Sequence, residues 1–113
     1  DLIAGAEGGN ERCRLALDMF NYQTKKFVGS YAAAMGGLDC IVFTAGIGEN
    51  TPQVREGVCE GLEFLGVKLD KEANAGKNTG AIRDISAKDS KVKILVVPTN
   101  EELAIARETL ALV

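Results

Sequence analysis

Two short apolar runs, each followed within a few residues by the signals that begin a helix, constrain this fold more than any other feature. Residues 38–44 form a nearly continuous apolar run rich in β-branched side chains, a pattern typical of a strand buried on both faces. Residues 91–97 repeat that pattern and end at Pro98. Strands alternating with helices in this way predict an α/β layered domain.

The segments around these runs complete the pattern. Residues 1–10 are rich in glycine, which predicts a loop or a severed end, whereas helical spacing of apolar residues predicts one long helix over 11–35. The glycine pair at 36 and 37 is expected to end that helix with a left-handed cap. Residues 38–113 would then form the α/β core of a single domain spanning 1–113.

Further elements are expected within that core. A second helix is predicted from Pro52 to about residue 64, with Thr51 as its N-cap. Residues 67–69 and 81–86 are interpreted as short strands that flank a polar loop at 74–80. A final helix is predicted from about residue 99 to residue 112, with Leu103, Ala106 and Leu110 as its buried stripe.

Composition narrows the classes of function. The chain has 113 residues, of which 46% are hydrophobic and 26% charged, and its net charge is −3 with both signs interspersed. A basic stripe is therefore missing, which argues against nucleic acid or a membrane surface as the main partner. No apolar run approaches the roughly 20 residues that span a bilayer, and no signal peptide opens the chain. These features predict a cytoplasmic location.

The cysteine and histidine content excludes several kinds of chemistry. The three cysteines, Cys13, Cys40 and Cys59, are widely spaced and form no C-x-x-C pair, so a zinc site or a disulfide framework is not expected. We interpret them as buried small hydrophobes. The chain contains no histidine, which excludes histidine base catalysis within it. Carboxylates, amides, backbone groups and a hard cation remain as the means of catalysis.

The first candidate site follows the strand at 38–44. It consists of Gly46, Ile47, Gly48, Glu49 and Asn50. Two glycines one residue apart allow close backbone approach and positive φ, and the following helix N-terminus favours an anion such as a phosphate. A tight turn without any ligand explains the spacing equally well. A dinucleotide-binding turn is disfavoured, because its third glycine is replaced by Thr51.

The second candidate site follows the strand at 91–97. Thr99 and Glu102 have the spacing of a capping box, so helix capping explains Glu102. Glu101 is not used by that motif; it is either a carboxylate favoured at a helix N-terminus or a ligand of Mg²⁺, which needs only one or two protein carboxylates beside nucleotide phosphates. If the two strands are parallel neighbours, Glu101 and the glycine segment face one crevice.

Three segments carry a resemblance to a known family. The chain reads YAAAMGG at residues 31–37, FTAGIGEN at 43–50 with Arg55 after it, and PTNEELAIAR at 98–107. In these segments, and over nearly its whole length, it resembles the acetate kinase family. The resemblance implies the C-terminal lobe of the ribonuclease H-like fold that acetate and sugar kinases share with Hsp70 and actin.

The resemblance also implies a function. It implies reversible transfer of the ATP γ-phosphoryl group to acetate, giving acetyl phosphate and ADP, with Mg²⁺ required. Residues 46–50 would line the adenosine pocket, Glu101 would contribute to the magnesium site, and the whole protein would form a homodimer. The family's catalytic asparagine, arginines, histidine and aspartate lie upstream of the matching region, so no catalytic residue is assigned here and the isolated chain is expected to be inactive.

Two alternatives stay open at this point. A propionate or butyrate kinase of the same family would carry the same segments, because the acyl pocket lies outside them. A free-standing nucleotide-binding or dimerisation module without chemistry would suit the long first helix.

Overall fold

The computed structural model describes residues 2–99 and 101–112, with the side chains of residues 3–99 and 102–112. In chain order its elements are α1 Leu2–Glu7, α2 Glu11–Met35, β1 Cys40–Phe43, α3 Ala45–Asn50, α4 Pro52–Cys59, a 3₁₀ turn at Glu63–Leu65, α5 Lys71–Ala75, β2 Arg83–Asp84, β3 Lys93–Val96 and α6 Glu101–Leu112. Helices precede, separate and follow β1 and the β2–β3 pair, so the α/β content agrees with the apolar pattern. No helix in the described part of the chain is both long and apolar enough to cross a membrane.

The three strands form one sheet in the order β1-β3-β2. β1 runs parallel to β3, with Phe43 opposite Val96, whereas β2 is antiparallel to β3. An isolated antiparallel bridge between Leu69 and Ser86 extends the pairing beyond β2. Of the strand predicted at 67–69, only the bridge at Leu69 is present. Of the strand predicted at 81–86, the structure keeps the two residues of β2 and the bridge at Ser86.

The long helix α2 has the predicted bounds and both of its ends are capped. The side chain of Asn10 accepts hydrogen bonds from the backbone N–H groups of Arg12 and Cys13, at 3.0 and 3.2 Å. Gly36, with φ of 76°, forms the left-handed cap at the other end.

The loop predicted over residues 1–10 is wrong, because Leu2–Glu7 is helical and packs against α2. The glycine content of this segment predicts a loop, but Gly5 serves helix packing. A Cβ at position 5 would lie 2.5 Å from the sulfur of Cys13, so only glycine allows α1 to approach α2 this closely.

The core lies between one face of the sheet and α4. Its members are Ile41, Phe43, Val54, Val58, Cys59, Leu62, Val67, Ile85, Val92, Ile94 and Val96. β1 alternates between buried and exposed residues, and Val42 keeps 52% of its surface exposed. The prediction that β1 is buried on both faces is therefore wrong for this chain, since the described residues cover its second face incompletely. Cys40 shares that open face and Cys13 is half-buried, so the expectation that all three cysteines are buried is correct for Cys59 alone.

Two helix predictions need correction. α4 ends at Cys59 rather than near residue 64, because Glu60 takes an extended conformation with ψ of 127° and Gly61 follows it with a left-handed φ of 88°. Thr51 occupies the N-cap position, but its side chain makes no capping hydrogen bond. The polar loop expected at 74–80 begins only after α5, which Asp70 caps through the N–H groups of Glu72 and Ala73.

The final helix α6 lies over the predicted range, but its apolar stripe is exposed. Leu103 and Leu110 keep 43% and 77% of their surfaces accessible, and Ala106 is exposed as well. The described residues supply no second layer over this helix, so the predicted burial of the stripe is wrong here.

Candidate functional site

The carboxyl ends of β1 and β3 meet at one edge of the sheet. The two strands are parallel neighbours, and the N–H of Val97 donates to the carbonyl of Phe43 at 2.9 Å. The condition for a shared crevice is thus met, because each strand leads directly into one of the two candidate segments. The first segment forms α3, and the second leads into α6, whose described residues begin at Glu101.

Two threonines join the segments. The Thr44 hydroxyl donates to the carbonyl of Val97 at 2.8 Å, so in its 2.6 Å contact with Thr99 it is the acceptor and Thr99 the donor. The Thr99 oxygen in turn accepts from the N–H of Ala45 at 2.8 Å. Thr99 therefore caps the start of α3.

This arrangement corrects the capping box expected at Thr99 and Glu102. The Thr99 N–H, which a capping box would pair with the Glu102 side chain, donates to the Glu49 carboxylate at 3.1 Å. The Thr99 hydroxyl is turned instead toward the start of α3.

α3 replaces the glycine turn that the sequence predicts at 46–50. The left-handed residue is Ala45, with φ of 62°, and neither Gly46 nor Gly48 has a positive φ. Gly48 is needed for a different reason: a Cβ there would lie 3.0 Å from the carbonyl carbon of Phe43. The positive φ predicted for these glycines is therefore wrong. Close backbone approach does occur at Gly48, but its neighbour is the chain's own backbone.

The five predicted residues of this segment have different surroundings. Gly46 and Ile47 are exposed, and a Cβ on Gly46 would meet no described atom within 4 Å, so this end of α3 is open to a ligand. The Glu49 carboxylate accepts the N–H of Thr99 at 3.1 Å and so ties α3 to the second segment. Asn50 is exposed, and its side-chain oxygen accepts from Asn78 at 3.1 Å.

Arg55 follows the segment at 43–50 that resembles the family, and the sequence predicts no role for it. Its side chain is fully buried, with the Nη1 nitrogen donating to the carbonyls of Gly48 and Glu49 at 2.8 and 3.1 Å. Nε and Nη2 donate to the side-chain oxygen and the carbonyl of Asn74, at 2.6 and 2.8 Å. The only sequence signal for this role is a charged residue next to the apolar stripe of α4.

The electrostatics around Arg55 follow from burial and from a second arginine. Burial lowers the pKa of the Arg55 guanidinium below its ordinary value, and the nearby charge of Arg83 lowers it further. Arg83 donates from Nη1 to the carbonyls of Ala73 and Gly76, at 3.2 and 3.1 Å. All four acceptors of Arg55 are neutral oxygen atoms, so hydrogen bonding rather than ion pairing makes its burial tolerable.

Among the described residues, several side-chain oxygen atoms of the kind that bind cations lie at the sheet edge. They include the hydroxyls of Thr44 and Thr99 and the carboxylate of Glu49, a set that suits a hard cation in type. Across the described residues, however, no three acidic, cysteine or histidine side chains come together as a metal cluster. The Glu101 backbone begins α6 at this edge, while its side chain lies outside the described residues.

Comparison with known proteins identifies the family. The family model for the acetokinase family matches residues 2–107. The acetate kinase of Heliobacterium modesticaldum is 58% identical over 109 residues, which are 96% of this chain but 27% of that protein. The chain therefore spans about a quarter of the length of that curated relative.

Solved structures agree with that result. The crystal structure of Porphyromonas gingivalis acetate kinase superposes with a TM-score of 0.86 at 47% identity, covering 97% of this chain and 27% of the other. A propionate kinase from Francisella tularensis superposes with a TM-score of 0.81 at 37% identity, covering 95% and 27%. The prediction of the α/β fold of acetate and sugar kinases, Hsp70 and actin is thus confirmed. This chain belongs to the acetokinase family.

Proposed function

We propose that this chain is the C-terminal, nucleotide-binding part of an acetate kinase. The whole enzyme reversibly transfers the γ-phosphoryl group of ATP to acetate, forming acetyl phosphate and ADP. Residues 46–50 line the adenosine pocket, and no catalytic residue is assigned within the 113 residues. Membership of the acetokinase family supports the reaction, and the local geometry supports the nucleotide assignment.

The observation that carries the proposal is the junction of the two strand ends. Parallel pairing of β1 and β3 and the contact between Thr44 and Thr99 bring the α3 segment beside the start of α6. In open α/β sheets, ligands bind outside the carboxyl ends of the strands, where these two segments lie. Exposed Gly46 and Ile47 leave room there for a planar, partly apolar adenosine group.

We further propose that Glu101 contributes to a Mg²⁺ site at this junction. The oxygen donors at the sheet edge match the ligand preference of Mg²⁺, which is commonly held by one or two carboxylates together with nucleotide phosphates. When bound, such an ion neutralises charge on the phosphates during transfer. The role of this chain is then to hold the nucleotide and its metal in a fixed orientation, which is the main contribution a protein makes to phosphoryl transfer.

Calorimetry on the full-length protein that carries this sequence tests both assignments. ADP is titrated, with and without Mg²⁺, into the wild-type protein and the variants Glu101→Ala and Glu102→Ala. Glu102 is the matched control, because it is the next acidic residue along α6 and is exposed. We expect Glu101→Ala to weaken ADP binding in the presence of Mg²⁺ only, and Glu102→Ala to change neither titration. Equal effects of the two variants would contradict the metal role. Absence of binding at millimolar ADP would contradict the nucleotide function itself.

A propionate or butyrate kinase is the alternative that a specific observation favours, because a propionate kinase superposes on this chain nearly as well as an acetate kinase does. The values of kcat/KM for acetate, propionate and butyrate in the full-length protein distinguish the three. We expect acetate to give the highest value, and a higher value for either longer acid would replace the proposal.

The remaining assignments concern the isolated chain and its assembly. We propose that the 113 residues alone form no acetyl phosphate, and detectable product from the purified chain would contradict this. The longer protein is proposed to be a cytoplasmic homodimer. α2 offers an exposed apolar surface for assembly, on which Phe27 and Tyr31 stack with ring centroids 6.3 Å apart. A non-catalytic nucleotide-binding or dimerisation module is the outcome if full-length protein binds ADP but transfers no phosphoryl group.

A further inference from the structure

Arg55 combines full burial with contacts to the backbone of the candidate nucleotide segment. We propose that Arg55 is a positioning residue that fixes the C-terminal end of α3 in the conformation that accepts the nucleotide. The inference rests on the proposed nucleotide function of residues 46–50. It assigns to Arg55 an effect on nucleotide affinity that operates through the α3 backbone, without contact to the ligand.

The need for such a residue follows from the length of α3. A helix of six residues is too short to be stable alone, since isolated helices become marginal below about 12–15 residues. Carbonyl groups of its last turn have no partner within the helix. Nη1 of Arg55 supplies a partner to two of them, the carbonyls of Gly48 and Glu49. A cation at this end also offsets the partial negative charge of a helix C-terminus.

The other side of the Arg55 guanidinium is held by Asn74. Asn74 is 2% exposed and receives two hydrogen bonds from Arg55, while its own amide donates to the carbonyl of Pro52 at 3.0 Å. The first residue of α4 and the α5 segment are thereby connected to the end of α3. Only a planar group with several diverging donors reaches all of these acceptors, so lysine is a poor substitute.

Burial separates this role from ligand contact. Because Arg55 has no exposed surface in this chain, a substitution should act through the position of α3. Gly46 and Ile47, on the exposed side of the same helix, would be displaced with it. We therefore expect nucleotide binding to weaken selectively, with little change in binding of the carboxylic acid.

The experiment measures steady-state kinetics of acetyl phosphate formation by the full-length protein, varying ATP and acetate separately. Arg55→Met and Arg55→Lys are compared with the matched control Arg83→Met. Arg83 also donates to backbone carbonyls beside α5, at Ala73 and Gly76, but it makes no hydrogen bond to α3 among the described contacts.

We expect Arg55→Met to raise the KM for ATP about tenfold, since hydrogen bonds from a charged donor are lost, with the KM for acetate within about twofold of wild type. Arg55→Lys should fold and restore part of this loss, leaving the ATP KM about threefold above wild type. Arg83→Met should leave the ATP KM unchanged even where it lowers the melting temperature.

Two results overturn the inference. One is an equal change of the ATP KM in Arg55→Met and Arg83→Met; the other is a parallel rise of the KM values for ATP and acetate. If Arg55→Met does not fold, Arg55→Lys decides alone, and an ATP KM equal to wild type in that variant rejects the positioning role. If the wild-type protein is active and the variants have the wild-type KM for ATP, only this inference is contradicted. If the wild-type protein neither binds nor uses ATP, both the proposed function and this inference are contradicted.

Discussion

Replacing Gly57 by alanine should destabilise this protein, although the same change in most helix interiors has the opposite effect. Gly57 lies inside α4, where glycine is about 1 kcal/mol less favourable than alanine. A Cβ at this position would lie 2.8 Å from Cγ of Asn21 on the neighbouring helix α2, and closer still to the amide nitrogen. Contact with α2 therefore reverses the sign expected from helix propensity.

The magnitude follows from these two opposing terms. Overpacking a buried contact costs about 1–3 kcal/mol. Asn21 is only 9% exposed, but it borders a cavity of about 290 Å³ between α1, α2 and α4, which gives its side chain room to turn. A clash cost of about 2 kcal/mol, less the gain of about 1 kcal/mol from helix propensity, leaves Gly57→Ala about 1 kcal/mol less stable than wild type.

A double-mutant cycle isolates the contact. Asn21→Ala removes the obstructing side chain together with a buried oxygen that has no hydrogen-bond partner in the described structure, so the single variant should be close to neutral. In that background, Gly57→Ala should stabilise the protein by about 1 kcal/mol. The coupling energy is then about 2 kcal/mol, within the range for residues in direct contact.

Urea unfolding of the chain, followed by circular dichroism at the helix band, measures all four proteins. The free energy of unfolding falls by about 1.5 kcal/mol per molar urea, so Gly57→Ala should lower the urea midpoint by about 0.7 M. In the Asn21→Ala background, Gly57→Ala should raise the midpoint by about the same amount. Amide exchange of residues 52–59 gives the same comparison in a longer protein. A stabilising Gly57→Ala in the presence of Asn21 would refute the reasoning, since propensity alone would then describe the site.

Three further predictions concern charge, thiol reactivity and a helix end. Hydrogen bonds from Ser86 and, as a smaller cause, a neighbouring lysine ammonium lower the pKa of Asp84 from 3.8 to about 2. The contribution of Asp84 to stability is therefore present above pH 3.8 and is lost as the pH falls through about 2, so the urea midpoint should fall less steeply between pH 5 and pH 2 in Asp84→Asn than in wild type. Burial raises the pKa of the Cys59 thiol to about 12, so a thiol reagent at pH 8 should modify exposed Cys40 rapidly and should modify Cys59 only in urea. Equal modification rates of Cys40 and Cys59 in the folded protein would contradict this prediction. Gly36→Ala should cost about 1 kcal/mol by calorimetric unfolding, because φ at that position is 76°.

The sequence predicts the order of the main elements because each leaves a local signal. α2 is set by helical periodicity and a glycine cap, and β1 and β3 are set by apolar runs between polar boundaries. The sequence leaves their parallel pairing open, and in the structure this pairing brings the two candidate segments together. The sequence thus places each segment at the end of a strand, whereas their proximity is known only from the structure.

Features that depend on distant contacts are not recovered. Glycine at position 5 indicates a loop by composition, whereas in the structure it allows α1 to approach α2. The apolar residues of α6 indicate burial, but in this chain they face outward. Arg55 gives only a weak signal, since its acceptors belong to segments 6 to 19 residues away.

The conformation of α3 is imposed from outside the segment itself. Its six residues form less than two full turns, and it begins at Ala45 in a left-handed conformation that costs about 1–2 kcal/mol for a residue with a Cβ. Hydrogen bonds from elsewhere offset this cost, since Thr99 accepts from the first N–H of the helix and Arg55 donates to two carbonyls at its end. Neither anchor lies within residues 46–50. A glycine-rich motif transferred without these anchors should therefore fail to take the same conformation, and substitutions at them should affect the site as strongly as substitutions within the motif.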